Sequence, residues 1–213
     1  MFRSPAEYTQ WFESHLQTTG RDRTYREEAL QHKGIFKQFY EELFPLYSLL
    51  KLKQKQWRKS RFRNVLGNQS YDVEVKGNAL AYLEIATTDF DEGELFRWRE
   101  FLANGYVSAI GRITRDNKGR MDRIEDEARP HNVLVQESVA AITARMNDKS
   151  AKSGYPRDTG LVVYYDDYKV RYEEEDYNLL RSTVEGLKCT WTTTFVSVFL
   201  VGPRGEVLIE SKK

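Results

Sequence analysis

The stretch Tyr82-Leu83-Glu84-Ile85-Ala86-Thr87-Thr88 decides how the chain is read. Strand alternation sends Leu80, Tyr82, Glu84 and Ala86 to one face, and Leu83, Ile85 and Thr87 to the other. Both faces are otherwise apolar, so the strand reads as central and buried. An ionised glutamate in such a strand costs several kcal/mol unless a cation or several donors satisfy it. A partner for Glu84 is therefore expected opposite it.

Upstream, from Gln69, Tyr71, Val73 and Val75 alternate with Asp72 and Glu74, and Lys76-Gly77-Asn78 makes a turn, so the Glu84 strand returns as the second arm of a hairpin. A three-residue turn at Lys76-Gly77-Asn78 pairs Val75 with Ala79 and Asp72 with Tyr82. Asp72 and Glu84 then share a face as diagonal neighbours, with Cβ atoms about 7 Å apart. A two-residue Gly77-Asn78 turn puts them on opposite faces. In the same-face register, each carboxylate can give one oxygen to a single Mg²⁺ at about 2.1 Å.

Outward from the hairpin, helical and strand patterns alternate. Residues 5–18 carry Tyr8, Trp11, Phe12 and Leu16 at helical spacing. A second helix is expected over 22–44, and Pro45 restarts the chain into Leu46-Tyr47-Ser48-Leu49-Leu50. Asp91 with Glu94 resembles a capping box for a helix ending at Asn104-Gly105. Residues 106–114 read as a strand, and the charged stretch 116–129 as an exposed, mobile loop. A long helix follows over 133–152. Its stripe of Val135, Val139, Ile142 and Met146 is continued by Lys149, which lies within about 40° of Val135 around the axis. Leu161-Val162-Val163-Tyr164-Tyr165 is a fully apolar strand, then an acidic helical stretch covers 169–185. Strands over 192–201 and 206–209 close a second hairpin around Gly202-Pro203-Arg204-Gly205.

This order implies an α/β protein: a central mixed sheet flanked by helices, with a helical N-terminal extension. One domain is expected over 1–213, its helical part at 1–63 and its mixed core at 64–213. Hydrophobic residues at 40% and aromatics at 13% suffice for a sizeable core, while 31% charged residues indicate a polar surface. No run approaches the ~20 apolar residues that span a bilayer, and the first residues carry no apolar signal core. Cys189 is the single cysteine, so no internal disulfide forms, in keeping with a cytoplasmic location. Within the apparent strand 188–201 it reads as a small core residue.

The net charge of +1 says little about partners, but its distribution says more. Residues 51–63 hold Lys51, Lys53, Lys55, Arg58, Lys59, Arg61 and Arg63 with no acid, and Trp57 and Phe62 set among them. Such a patch attracts phosphates and can stack bases, or it is a solvated helix face.

The hairpin resembles that of the PD-(D/E)XK nuclease superfamily, the restriction-endonuclease-like fold, over roughly residues 35–170. Ser70-Tyr71-Asp72-Val73 supplies the family's Asp, and Leu83-Glu84-Ile85-Ala86 its Glu-x-Lys position. Glu42 (or Glu41) stands where an upstream helical glutamate is found. The resemblance implies hydrolysis of phosphodiesters in DNA, with Mg²⁺ or Mn²⁺ on Asp72 and Glu84 and Glu42 assisting. The basic residues, with Trp57, would hold the nucleic acid, and the arrangement leaves room for a homodimer. Two departures stand out. Ala86 replaces the family's lysine, and no proline precedes Asp72. Some members carry that lysine on the following helix, which gives Lys149 the role; otherwise Lys149 is a snorkelling residue at a helix end.

The loss of lysine equally fits a module that keeps the fold without the chemistry, Glu84 being offset by Arg97, Arg99 or Lys149. A small-molecule pocket near Asp166, Asp167 and Tyr168 is a third reading. His131 is either a base or phosphate anchor, or a surface residue. No Gly-rich phosphate loop, CxxC pair or nucleophile elbow is present.

Overall fold

Two short runs without polar alternation, Thr159–Tyr164 and Ser197–Val201, are buried at every position. That is the pattern of parallel strands covered on both faces. The computed structural model describes residues 1–21, 39–65, 67, 69–88, 111–118, 121–126, 129–165, 172–202 and 207–213. In order, the chain forms α1 (Pro5–Arg21), a π-helical turn (Phe39–Leu43), α2 (Phe44–Lys53), β1 (Arg61–Asn64), β2 (Val73–Lys76) and β3 (Tyr82–Thr87). There follow β4 (Gly111–Arg115), β5 (Met121–Asp126), α3 (His131–Ala151), β6 (Thr159–Tyr164), α4 (Glu174–Gly186), α5 (Lys188–Trp191), β7 (Ser197–Val201) and β8 (Leu208–Lys212). Six strands make one sheet in the order β1-β2-β3-β6-β7-β8, and β4 pairs with β5 separately. The central strands β3, β6 and β7 run parallel, while β1, β2 and β8 join antiparallel. The α/β architecture expected from the element order is thus present, a mixed open sheet with helices on both sides.

Each sheet face has its own core. Leu83, Ile85, Val162, Tyr164 and Phe199 pack with Tyr8 and Phe12 of α1 and Leu46, Leu49 and Leu50 of α2. Pro45 sits in the first turn of α2, where a missing N–H costs no intrahelical bond. The alternate residues Ala86, Leu161, Val163, Val198 and Leu200 pack with Ile142 and Met146 of α3, Leu180 and Val184 of α4, and Trp191 of α5. The buried Trp191 indole N–H donates to the Val184 carbonyl at 3.1 Å, satisfying its one polar atom.

Several local expectations are corrected. Residues 121–126, read as loop, pair antiparallel with β4. The strand read over 188–201 begins only at Ser197; α5 and a turn precede it, leaving Cys189 exposed. Strand β1 starts at Arg61, inside the stretch read as helical. The expected helices over 22–38 and 91–105, and residues 106–110 of the expected strand, lie outside the described residues.

The first hairpin has a different register from either turn considered. Val73 pairs with Leu83 and Glu74 with Tyr82, so residues 77–81 form the connection. Gly77 takes φ 70°, a left-handed conformation glycine adopts readily. Its carbonyl accepts from the Ser60 hydroxyl at 3.1 Å, and the Asn78 amide donates back to that hydroxyl at 3.1 Å. The connection is longer than expected because it docks onto Ser60. The register moves by two residues, which preserves parity. One step beyond the Val73–Leu83 pair, Asp72 comes level with Glu84 instead of diagonal to it.

Candidate active site

Glu84 points to the α3 face of the sheet and is 7% exposed. Its partner is the ammonium of Lys149, which donates to Glu84 Oε1 from the last turn of α3. The Tyr155 hydroxyl lies 3.4 Å from the same oxygen. The buried stripe Val135, Ile142 and Met146 aims Lys149 at β3, as its helical spacing predicts. The cation demanded by the buried acid is therefore a lysine of this chain.

Asp72 adds a second carboxylate beside that pair. Its Oδ2 accepts the Ile85 N–H at 2.7 Å, which fixes the side chain against β3. Burial above all, then the neighbouring Glu84 charge, pushes its carboxyl up to about 7, and Glu42 adds in the same direction. The Ile85 N–H and Lys149 pull the other way without cancelling the rise. The same acidic surroundings push the Tyr155 phenol upward, behind burial as the main cause.

A cleft of about 240 Å³ opens beside these groups, lined by Glu41, Glu42, Asp72, Ala86, Arg145 and Lys149, with Ile85 and Thr87 at the end of β3. The π-helical turn brings both Glu41 and Glu42 to it, the two residues that the sequence offered for the upstream glutamate. π turns recur at functional sites. Ala86 lines the cleft where the family resemblance expects a lysine stem. The oxygen-only donors of Asp72 and Glu84 suit a hard cation such as Mg²⁺, which takes one or two carboxylates and keeps several waters. Among the described residues, no three or more His, Cys, Asp or Glu side chains cluster into an all-protein cage.

The basic stretch is placed elsewhere. Arg61 pairs with Lys76, four residues along β2 from Asp72, about 13 Å at the usual strand rise. Lys51, Lys55, Arg58, Lys59 and Arg61 are exposed. Arg61 pairs with Glu7 and Arg63 with Glu74. Trp57 is 6% and Phe62 1% exposed, the two rings stacked 5.6 Å apart in the core. Neither is open to a base, which corrects the stacking reading. Lys53 is likewise internal, bonded to Glu210 and Gln56 and lying over the Trp57 ring.

His131 bonds to Asp176 at 2.9 Å across the starts of α3 and α4, away from the cleft residues. Arg97, Arg99, Asp166, Asp167 and Tyr168 lie outside the described residues. Sequence reasoning missed two cleft neighbours. Arg145 precedes Lys149 by four, the spacing that shares a helix face. Tyr155 carried no sequence signal, because its approach to Glu84 depends on how residues 152–156 leave α3.

No family model matches the chain, and no curated protein or solved structure is similar enough to count as a match.

Proposed function

We propose that the chain is a divalent-metal-dependent nuclease-like protein that hydrolyses phosphodiester bonds in DNA. The observation that carries this reading is the acid left over. Lys149 neutralises Glu84, yet Asp72 is held beside them with one backbone N–H as its bonded partner among the described residues. A fold gains nothing from a surplus buried carboxylate, whereas a cation site requires one. Asp72 and Glu84 would hold Mg²⁺ or Mn²⁺, with Glu42 beside them. The chemistry supplied on binding is activation of a water and neutralisation of charge at the scissile phosphate.

The chain's own residues do the rest. The Ile85 N–H orients Asp72, and Tyr155 and Lys149 orient Glu84. Lys149 also stands in for the strand lysine that Ala86 lacks, its ammonium available to hold a phosphate oxygen. Asp72→Ala and Glu84→Ala should each abolish cleavage of a DNA duplex while leaving binding mostly intact. Cleavage by the unaltered protein that survives EDTA would overturn the proposal.

A second reading has its own support: Lys149 satisfies Glu84 without any ion. On that reading the chain is a non-enzymatic module of the same fold, binding nucleic acid or a protein. A flat Mg²⁺ titration by calorimetry, with no thermal stabilisation, would favour it.

A further inference from the structure

The cleft has a second cation with a free edge. Arg145 lies one helical turn before Lys149, on the same side of α3, and both line the cleft. Its Nε donates to the Thr87 carbonyl at 2.9 Å, at the end of β3. That bond clamps the guanidinium at the cleft mouth. Among the described residues its closest acid is Asp148, whose Oδ2 is 4.0 Å from Nη1, too long for a hydrogen bond, and the side chain is 41% exposed. A guanidinium presents five N–H donors in a rigid fork, and the fork matches the oxygens of a phosphate. Anchoring through Nε lowers the entropy lost when the remaining donors engage a ligand. Ala86 removes the long side chain that would otherwise share this space.

The geometry points to Arg145 as a substrate-binding residue whose Nη groups contact a non-bridging oxygen of a DNA phosphate entering the cleft. This rests on the nuclease reading, and it assigns the phosphate contact to α3 in place of the distant basic stretch. Removing one such contact weakens binding uniformly across sequences and lowers the slope of log affinity against log salt by about 0.9.

The test uses the full chain with Asp72→Asn, which stops cleavage, in Mg²⁺ buffer. A fluorescein-labelled 20-base-pair DNA duplex is titrated by anisotropy over a salt series. Adding Arg145→Gln should weaken binding by up to about five-fold and flatten the slope by about 0.9. Arg145→Lys should keep the slope, although it loses the same bond to Thr87. Lys152→Gln, exposed just past the C-terminal end of α3 and absent from the cleft lining, should leave the slope unchanged. Equal flattening in the Gln and Lys variants would overturn the inference, because the effect would then come through the position of β3. An unchanged slope in Arg145→Gln, with the unaltered protein cleaving DNA and Asp72→Asn inactive, would overturn this inference alone. No binding by any form, with no cleavage by the unaltered protein, would remove the nuclease reading with it.

Discussion

Glu84 and Lys149 neutralise one another inside the sheet, and removing either leaves the other stranded. Lys149→Met should destabilise the protein by about 3–5 kcal/mol in urea unfolding, because it leaves an uncompensated buried charge. Adding Glu84→Gln should recover most of that loss. Asp72 behaves in the opposite sense. Its carboxyl is raised from 3.8 to about 7, so the folded chain binds the proton more tightly than the unfolded chain does. Stability therefore falls as pH rises from about 4 to about 7, and the penalty is complete above that range. Asp72→Asn removes an acid that is costly when ionised. Its thermal midpoint should exceed that of the unaltered protein at pH 8 and equal it near pH 3.5, while cleavage is lost. A midpoint lowered at pH 8 would mean that Asp72 stabilises the fold. The need for a cation opposite Glu84, and Lys149 as a source of it, were both legible in sequence. A buried acid at a strand position and a lysine on an apolar helical stripe are purely local patterns. Arg145 was less visible, because its bond to Thr87 exists only once α3 crosses the end of β3.

The hairpin carrying both acids shows where local reading stops. Parity came out as the three-residue turn implied, but the pairing moved by two residues, because Gly77 and Asn78 bond to Ser60 rather than closing a tight turn. No local pattern encodes a contact to a residue seventeen positions upstream. Gly77→Ala tests this docking. Its Cβ would lie 3.0 Å from the Lys59 carbonyl oxygen at a left-handed φ, and should cost about 1–3 kcal/mol by chemical denaturation. The loss should appear without any change in which face Asp72 occupies, so residual cleavage per folded molecule should be kept. Strand β5 escaped notice because Met121-Asp122-Arg123-Ile124-Glu125-Asp126 lacks sustained apolar alternation. The stretch before β7 failed in the reverse direction. Its threonines favour strand, but the burial of Trp191 against α4 holds the segment as helix and turn.

The layered α/β body was legible because hydrophobic period switches between 3.6 and 2 mark its strands and helices in turn. What the chain order could not convey is which ends of the elements meet. The cleft opens beside the end of β3, whereas the basic stretch enters β1 at Arg61, level with Lys76 and four residues from Asp72. On the proposed metal-dependent reading, a divalent ion should stabilise the entire fold by mass action, reaching about 2.7 kcal/mol at one hundred times the dissociation constant. A thermal midpoint that climbs with Mg²⁺ in the unaltered protein, and stays flat in Glu84→Gln, is the expected result. Exposed Cys189 on α5 bears on how such titrations are read. Being the chain's lone thiol, and absent from the cleft lining, it offers one attachment point for a maleimide dye under native conditions. A dye placed there would leave the acidic cleft unobstructed during a titration, and labelling beyond one dye per chain would signal reaction at amines.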